Sequence, residues 1–142
     1  MPRLRDPAEL RSRVAAAPVA RLATLRPDGA PRLVPISFVL VDELLCSAVD
    51  QVKSKDHPRL ARLSDIAHDS RVSVLIDHYT PDWSQLWWIR IDGTAVVHDA
   101  GELWERALAA LTVKYPQYAD QPPNGPVIAV TPSRWSGWVA AR

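Results

Sequence analysis

A predicted strand gives way to a predicted helix within residues 47–63, which read SAVDQVKSKDHPRLARL. The apolar run at residues 44–46, just upstream, is typical of a short β-strand that ends in the first letters of this stretch. Pro58 suits the first turn of a helix, and apolar residues then recur at helical spacing, at Leu60, Leu63 and Ile66. A polar loop therefore connects the strand to the helix.

This loop carries Lys53, Ser54 and Lys55. The chain has 17 basic residues, but only three of them are lysines, and two of the three lie here. Two positions apart in an extended segment, the lysine side chains project to the same side. Ammonium groups next to the N–H groups of a helix start are typical of an anion site. A solvated turn is the alternative interpretation of the same residues.

Composition places the chain among ordinary soluble proteins. Its 142 residues, 47% hydrophobic and 23% charged, predict a single domain spanning 1–142 with a proper core. A net charge of +1 argues against a general nucleic-acid binder or membrane-surface binder. No apolar run reaches membrane-spanning length, and the first residues lack the apolar region of a signal peptide. The single Cys46 cannot form an internal disulfide, so we expect a cytoplasmic protein.

Short strands dominate the first half of the chain. Asp6 and Pro7 begin a first helix, which Pro18 ends. Residues 19–26 and 31–41 are predicted strands around a Pro-Asp-Gly turn, and residues 44–49 form a third strand. The second of these strands should be irregular, edge-like or bulged near Pro35, because proline cannot donate to a ladder. Three consecutive strands with short links predict an antiparallel meander.

Longer strands dominate the second half. Residues 71–77 and 86–99 are predicted strands, the second with a bulge or bend at Asp92-Gly93. A helix at 101–115 and a last strand at 127–140, interrupted at Pro132, complete the chain. We therefore predict a mainly β protein with inserted helices (α+β), in which six to seven mostly antiparallel strands form a barrel.

Motifs for several kinds of site are absent from the sequence. The four histidines show no metal-ligand spacing, and there is no nucleophile elbow, phosphate-binding loop or dinucleotide fingerprint. No metal site is expected. If the protein is an enzyme, a bound cofactor is expected to carry the chemistry.

Several segments in order resemble a known family: residues 20–25, the lysine turn at 53–55, and the segments 69–75 and 87–93. Together they resemble the pyridoxamine 5'-phosphate oxidase-like split β-barrel superfamily, over about residues 14–138. Within it, the chain is most similar to the group that uses the deazaflavin coenzyme F420 rather than FMN. This resemblance implies an FMN-binding-like split β-barrel and a homodimer.

The resemblance also implies a shared site between two subunits. Backbone of the second strand would flank the cofactor ring, at Val34, Pro35 and Ile36. The end of the third strand and the following turn would hold the ribityl and phosphate groups, at Ala48, Val49, Lys53, Ser54 and Lys55. Arg59, one step into the helix, is either a further phosphate ligand or a surface arginine.

Six tryptophans are unusual in so short a chain. Trp87 and Trp88 are adjacent in a strand, so one faces the core and the other faces out. The resemblance places the outward one, taken as Trp88, against the ring or the dimer interface, and brings Trp135 and Trp138 towards the partner's site. Core packing is the alternative for each of them. Trp83 and Trp104 are assigned to structural roles.

The function implied is an F420-dependent oxidoreductase that passes a hydride from the reduced deazaflavin to an electron-poor small molecule. Lys53, Lys55, Arg59 and Arg62 would offer an exposed basic exit for the acidic tail of F420. An FMN-dependent oxidoreductase and a non-catalytic flavin-binding protein are the alternatives. Vitamin B6 oxidation is not expected, because the substrate-binding Arg and His of that activity lie further towards the C-terminus than Arg142. No catalytic acid or base is assigned.

Overall fold

The computed structural model describes residues 3–49 and 59–140. Three α-helices and eight strands form within these ranges. In chain order they are β1 (Arg3–Leu4), α1 (Pro7–Ala16), β2 (Ala20–Leu25), β3 (Pro31–Ile36), β4 (Val39–Val41), β5 (Leu44–Ala48), α2 (Arg59–His68), β6 (Arg71–His78), β7 (Trp87–His98), α3 (Glu102–Lys114) and β8 (Val127–Val139). None of the helices in these ranges has the length and apolarity needed to cross a bilayer.

One curled antiparallel sheet contains every strand. Its order is β3-β2-β6-β7-β8-β5-β4, with β1 paired to the remaining part of β8. The predicted α+β split β-barrel is therefore confirmed. The strand count exceeds six to seven because β1 was not predicted and because residues 31–41 form two strands rather than one.

The predicted meander is wrong at residues 31–41. β3 pairs with β2 and β4 pairs with β5, so the two halves of the predicted strand lie at opposite ends of the sheet order. Side chains bind the backbone between them: the Phe38 N–H donates to the Tyr115 hydroxyl at 3.0 Å, and the Ser47 hydroxyl donates to the Ser37 carbonyl at 2.8 Å. Pro35, which has no N–H to give to a ladder, lies just before this break.

A β-bulge interrupts the long pairing of β7 with β8. Asp92 is opposite Arg134, but Gly93 is opposite Pro132, so Ser133 is the extra residue on β8. The predicted bulge at Asp92-Gly93 and the predicted interruption at Pro132 are thus one feature. A Cβ at position 93 would overlap the carbonyl oxygen of Thr131, which is why glycine stands there.

The core consists of two clusters. The larger one fills the barrel and includes the fully buried Phe38, Leu22, Leu45, Ile76, Ile89 and Ile91. The smaller one packs α3 against β5 and β8 and contains Cys46. Burial raises the pKa of the Cys46 thiol to about 11, so this side chain packs as a small neutral hydrophobe.

Candidate functional site

The residues predicted to flank the ring lie at the end of β3. Ile36 is buried, Val34 is half-buried and Pro35 is exposed. Val34 and Ile36 both pack on the larger core cluster. Since β3 is the terminal strand of the sheet order, its outer backbone edge is the part that remains available to a ligand.

The residues predicted at the end of the third strand are also core residues. Ala48 and Val49 are 6% and 1% exposed, and the Val49 N–H donates to the Pro126 carbonyl at 2.8 Å. Any contact of Ala48 or Val49 with a cofactor would therefore involve backbone rather than side chain. The predicted anion turn with Lys53, Ser54 and Lys55 lies outside the described residues, and of Arg59 the structure gives only its place as the first residue of α2.

Two tyrosines just after α3 bind the segment that connects β3 to β4. The Tyr115 hydroxyl accepts from the Phe38 N–H and lies 3.0 Å from the Pro18 carbonyl oxygen, to which it donates. The Tyr118 hydroxyl is 3.0 Å from the Ser37 hydroxyl. Neither tyrosine was predicted to have a role from the sequence. The feature that could have indicated one is the pair of tyrosines in KYPQY, directly after an amphipathic helix.

Lys114, the third lysine of the chain, contacts the same junction. Its ammonium nitrogen is 3.7 Å from the centre of the Phe38 ring, a cation–π contact. It has no hydrogen-bond partner in the described part of the chain, and burial lowers its pKa to about 8. The Lys114 ammonium group therefore lies against the segment that directly follows β3.

Trp88 and Trp138, the two predicted tryptophans, are directly opposite each other on β7 and β8. The Arg90 guanidinium lies 5.8 Å from the centre of the Trp88 ring. Trp87 instead packs against the larger core cluster, so the predicted alternation of the two neighbouring tryptophans is observed. The structure therefore brings Trp88 and Trp138 together on the outer face of the sheet.

A cavity of about 440 Å³ lies on this face. We call it the Arg-Trp cavity, and it is defined by its lining residues Arg3, Leu4, Arg5, Leu10, Trp88, Arg90, Arg134, Trp135, Ser136, Gly137 and Trp138. No residue of β3 or of the end of β5 lines it. The predicted site residues thus form two separate groups within one chain.

One further expectation from sequence is wrong, since Arg62, expected to be an exposed cation, is only 6% exposed. Trp83, assigned to structure, is 67% exposed and contacts the ring of Tyr79. Trp104 does have a structural role, since its indole N–H donates to the Gly125 carbonyl at 3.0 Å.

Near Arg62, a buried carboxylate joins α2 to the β2–β3 hairpin. Asp65 is 2% exposed and accepts hydrogen bonds from Arg32 at 2.7 Å and from the Thr24 hydroxyl at 2.8 Å. Burial raises the pKa of Asp65, but these two hydrogen bonds and the charge of Arg32 outweigh it, so the net pKa lies below the ordinary value. Within residues 3–49 and 59–140, no three His, Cys, Asp or Glu side chains are grouped to hold a metal ion.

Comparison with solved structures shows the same fold in several proteins. The conserved hypothetical protein Rv2991 from Mycobacterium tuberculosis is 19% identical with a TM-score of 0.80, over 97% of this chain and 87% of that one. A FAD-binding protein from Mesorhizobium loti is 18% identical with a TM-score of 0.69, over 96% and 95%. HutZ, described as a heme storage protein from Vibrio cholerae, is 15% identical with a TM-score of 0.72, over 96% and 95%. At these identities the likeness shows the fold alone.

Comparison with the curated proteins found no match. A scan against protein families, in contrast, matched residues 6–139 to the family described as pyridoxamine 5'-phosphate oxidase. The match runs from the cap of α1 to the last residue of β8 and so includes both groups of predicted site residues. The chain therefore belongs to the pyridoxamine 5'-phosphate oxidase family.

Proposed function

We propose that the protein is a homodimeric oxidoreductase that uses coenzyme F420 to pass a hydride to an electron-poor small molecule. The observation that carries the proposal is the pairing of Trp88 with Trp138 on a face separate from the β3 and β5 ends. Indole faces suit a flat heteroaromatic ring, and a strand edge suits its hydrogen-bonding rim. FMN is the alternative cofactor.

Exposed apolar residues support the proposed dimerisation with a second copy of the chain. Leu33 on β3 is 70% exposed and Leu75 on β6 is 38% exposed. Both face the same side of the sheet, because they are opposite Ala23 and Arg21 of the intervening β2. Covering them with a second chain would remove apolar surface from water, at about 25 cal/mol per Å². A two-fold pairing would also allow the tryptophans of one copy to complete the β3 edge of the other.

The proposed roles follow from these positions. The backbone at Val34, Pro35 and Ile36 would orient the ring, Trp88 and Trp138 of the second copy would cover it, and the lysine turn with Arg59 would hold the phosphate. When bound, F420 would supply the hydride chemistry. The chain itself would align ring and acceptor and exclude water between them.

A heme-storage function is not favoured by the residues present. Heme iron in proteins is held by His, Cys, Met or Tyr. None of these types lines the Arg-Trp cavity. A non-catalytic flavin-binding protein would use the same contacts as the proposed enzyme, and only turnover distinguishes the two.

The test is a fluorescence titration of the apo-protein with F420 and with FMN, at low and high salt. We expect tighter binding of F420, with an affinity that falls more steeply as salt increases, because its tail carries additional charges. Tighter binding of FMN under both conditions would show that the cofactor is FMN and not F420. Binding of neither cofactor, or a monomer by light scattering at micromolar concentration, would overturn the proposal.

A further inference from the structure

We infer that the Arg-Trp cavity selects an aromatic acceptor that carries a negatively charged group such as a carboxylate, sulfonate or phosphate. This inference rests on the proposed function, because it names the substrate class of the same site. Four of the residues that line the cavity are arginines and none is acidic. The whole chain has a net charge of only +1, so the positive charge is concentrated here.

Three of these arginines are not neutralised. Arg90 has a long ion pair with Asp92, at 3.4 Å. Arg3, Arg5 and Arg134 have no ion pair with any residue of the described ranges. Several arginines outside the cavity do have close ion pairs, as at Arg106 with Asp42, 2.9 Å. Guanidinium groups bind planar oxyanions through paired N–H donors, so an unpaired set next to aromatic rings matches an anionic aromatic ligand.

The fold places these arginines by local pairing. β1 aligns Arg3 with Trp138, so both side chains share one face of the sheet. Gly137 allows this close approach, because a Cβ there would lie 2.9 Å from the Cβ of Leu4 and 2.6 Å from a methyl of Leu10. Arg134 reaches the same face through the bulge, opposite Asp92.

A further donor lies within the cavity. The Ser136 hydroxyl is buried and has no hydrogen-bond partner in residues 3–49 and 59–140. It stands between Arg134 and Trp138 on the same face of β8, opposite Arg90. A rotation about its χ1 would present the hydroxyl to a ligand oxygen. Buried polar groups in native proteins normally have a partner, which supports a polar ligand here.

The size of the cavity limits the ligand. A volume of about 440 Å³ corresponds to one small ring system rather than to a tetrapyrrole with its side chains. The cavity thus favours a compact anionic aromatic, held by a charge-assisted contact with Arg5 or Arg134.

The experiment compares two naphthalene probes of similar shape on the apo-protein, so no cofactor is needed. One is the anionic 1-anilinonaphthalene-8-sulfonate and the other is the neutral N-phenyl-1-naphthylamine. We expect the anion to bind tighter. Arg134→Gln and Arg5→Gln should each weaken its binding about tenfold, the scale of one charged hydrogen bond, and leave the neutral probe unchanged. Arg26→Gln, an exposed arginine outside the cavity, is the matched control.

Equal affinity for both probes in the wild-type protein would overturn the inference. An equal loss of affinity for both probes in the arginine variants would also overturn it, since that result would indicate a packing defect. A titration with F420 distinguishes the source of the anion: a tenfold loss in Arg134→Gln would assign the arginines to the cofactor's own tail and contradict an anionic acceptor. A protein that binds neither F420 nor FMN but discriminates between the probes would sustain the anion site and reject only the proposed function.

Discussion

Trp88 and Trp138 are direct neighbours across the antiparallel pair of β7 and β8, and they share the outer face of the sheet. Direct cross-strand neighbours have Cβ atoms only about 5 Å apart, so the two tryptophan side chains leave the sheet side by side. The core lies on the opposite face, where Val139 is 4% exposed and Ile89 is fully buried. Substitution of either tryptophan is therefore expected to affect ligand binding more than folding.

Trp138→Leu tests this expectation. Loss of the ring face should weaken F420 or FMN binding by about 1–3 kcal/mol, because stacking and a large buried area are removed together. The midpoint of urea unfolding should change little. Trp83→Leu, which replaces a tryptophan that is 67% exposed and outside the cavity, is the control and should bind as the wild type does. Unchanged cofactor affinity in Trp138→Leu would exclude Trp138 from the site.

Gly93→Ala should destabilise the protein strongly. A methyl group at position 93 would collide with the Thr131 carbonyl of the bulge, and the backbone of β8 must move to accept it. We expect a loss of about 2–4 kcal/mol in the free energy of unfolding, as for other overpacked sites. Gly101→Ala is the comparison: Gly101 has φ of 98° but no atom within 4 Å of an added Cβ, so only the backbone term applies. Equal losses in the two variants would show that the bulge tolerates a side chain.

Asp65→Asn should also be costly. The substitution removes the buried charge that pairs with Arg32 at 2.7 Å and weakens the hydrogen bonds from Arg32 and Thr24. The expected loss is about 1–3 kcal/mol, because the partner guanidinium is partly exposed to water, and it is measured by urea unfolding at neutral pH. Asp69→Asn breaks the exposed pair with Arg71 and should cost much less. Because the pKa of Asp65 is lowered in the folded state, its stabilisation is present above the ordinary carboxyl range and is lost as the pH falls through the folded pKa. Similar losses in the two variants would contradict a buried role for Asp65.

Lys114→Met should change how stability depends on pH. Burial lowers the Lys114 pKa from 10.5 to about 8, so between these values the unfolded chain binds more protons than the folded one. The contribution of Lys114 to the free energy of unfolding therefore rises with pH between these two pKa values. At a pH below both values, the full cost of burying the ammonium group is present. We expect the wild type to gain about 1 kcal/mol relative to the variant from pH 7 to 10, a small value because the side chain is partly exposed and the Phe38 ring offsets part of the cost.

Urea unfolding of both proteins across this range measures the difference, in which the contribution of Cys46 cancels. Val113→Met, at an adjacent position that is 86% exposed, controls for the new side chain. Parallel pH curves for Lys114→Met and the wild type would show that the ammonium is solvated.

Most of the fold could be predicted from local signals. Asp6 caps α1 through a hydrogen bond to the Ala8 N–H, and Pro7 occupies the first turn, as the sequence indicated. Alternation along β7 predicted which side chains face inward. Pro35 indicated an irregular strand, but the separation of its two halves at Ser37 and Phe38 could not be predicted. The groups that bind this backbone come from Tyr115 and Ser47, which are distant in sequence. Local apolar runs cannot reveal hydrogen bonds of that range.

The candidate site was only partly accessible to sequence reasoning. Because successive side chains of a strand point to opposite faces, the sequence indicated that one of Trp87 and Trp88 must face outward. The burial of Arg62 was missed because its helical spacing also fits a surface position, and the Arg32–Asp65 pair beside it connects residues 33 positions apart. The arginine cluster was missed for the same reason: Arg3 and Arg134 come to line one cavity only when β1 pairs with β8.

The extra residue Ser133 resets the alternation of β8, so the length of the segment that follows it, and not only its composition, is a determinant of the site. Removal of Ser133 itself would leave Arg134 opposite Asp92, but removal of one residue between Arg134 and Trp138 would exchange the faces of everything that follows. Trp138 would then turn into the barrel, and Val139 would turn towards the cavity. Relatives that keep this face should therefore conserve the number of residues between the bulge and the final tryptophan, even where the residues themselves vary. A single deletion in this segment would therefore abolish the arrangement of the cavity face, which many substitutions would leave intact.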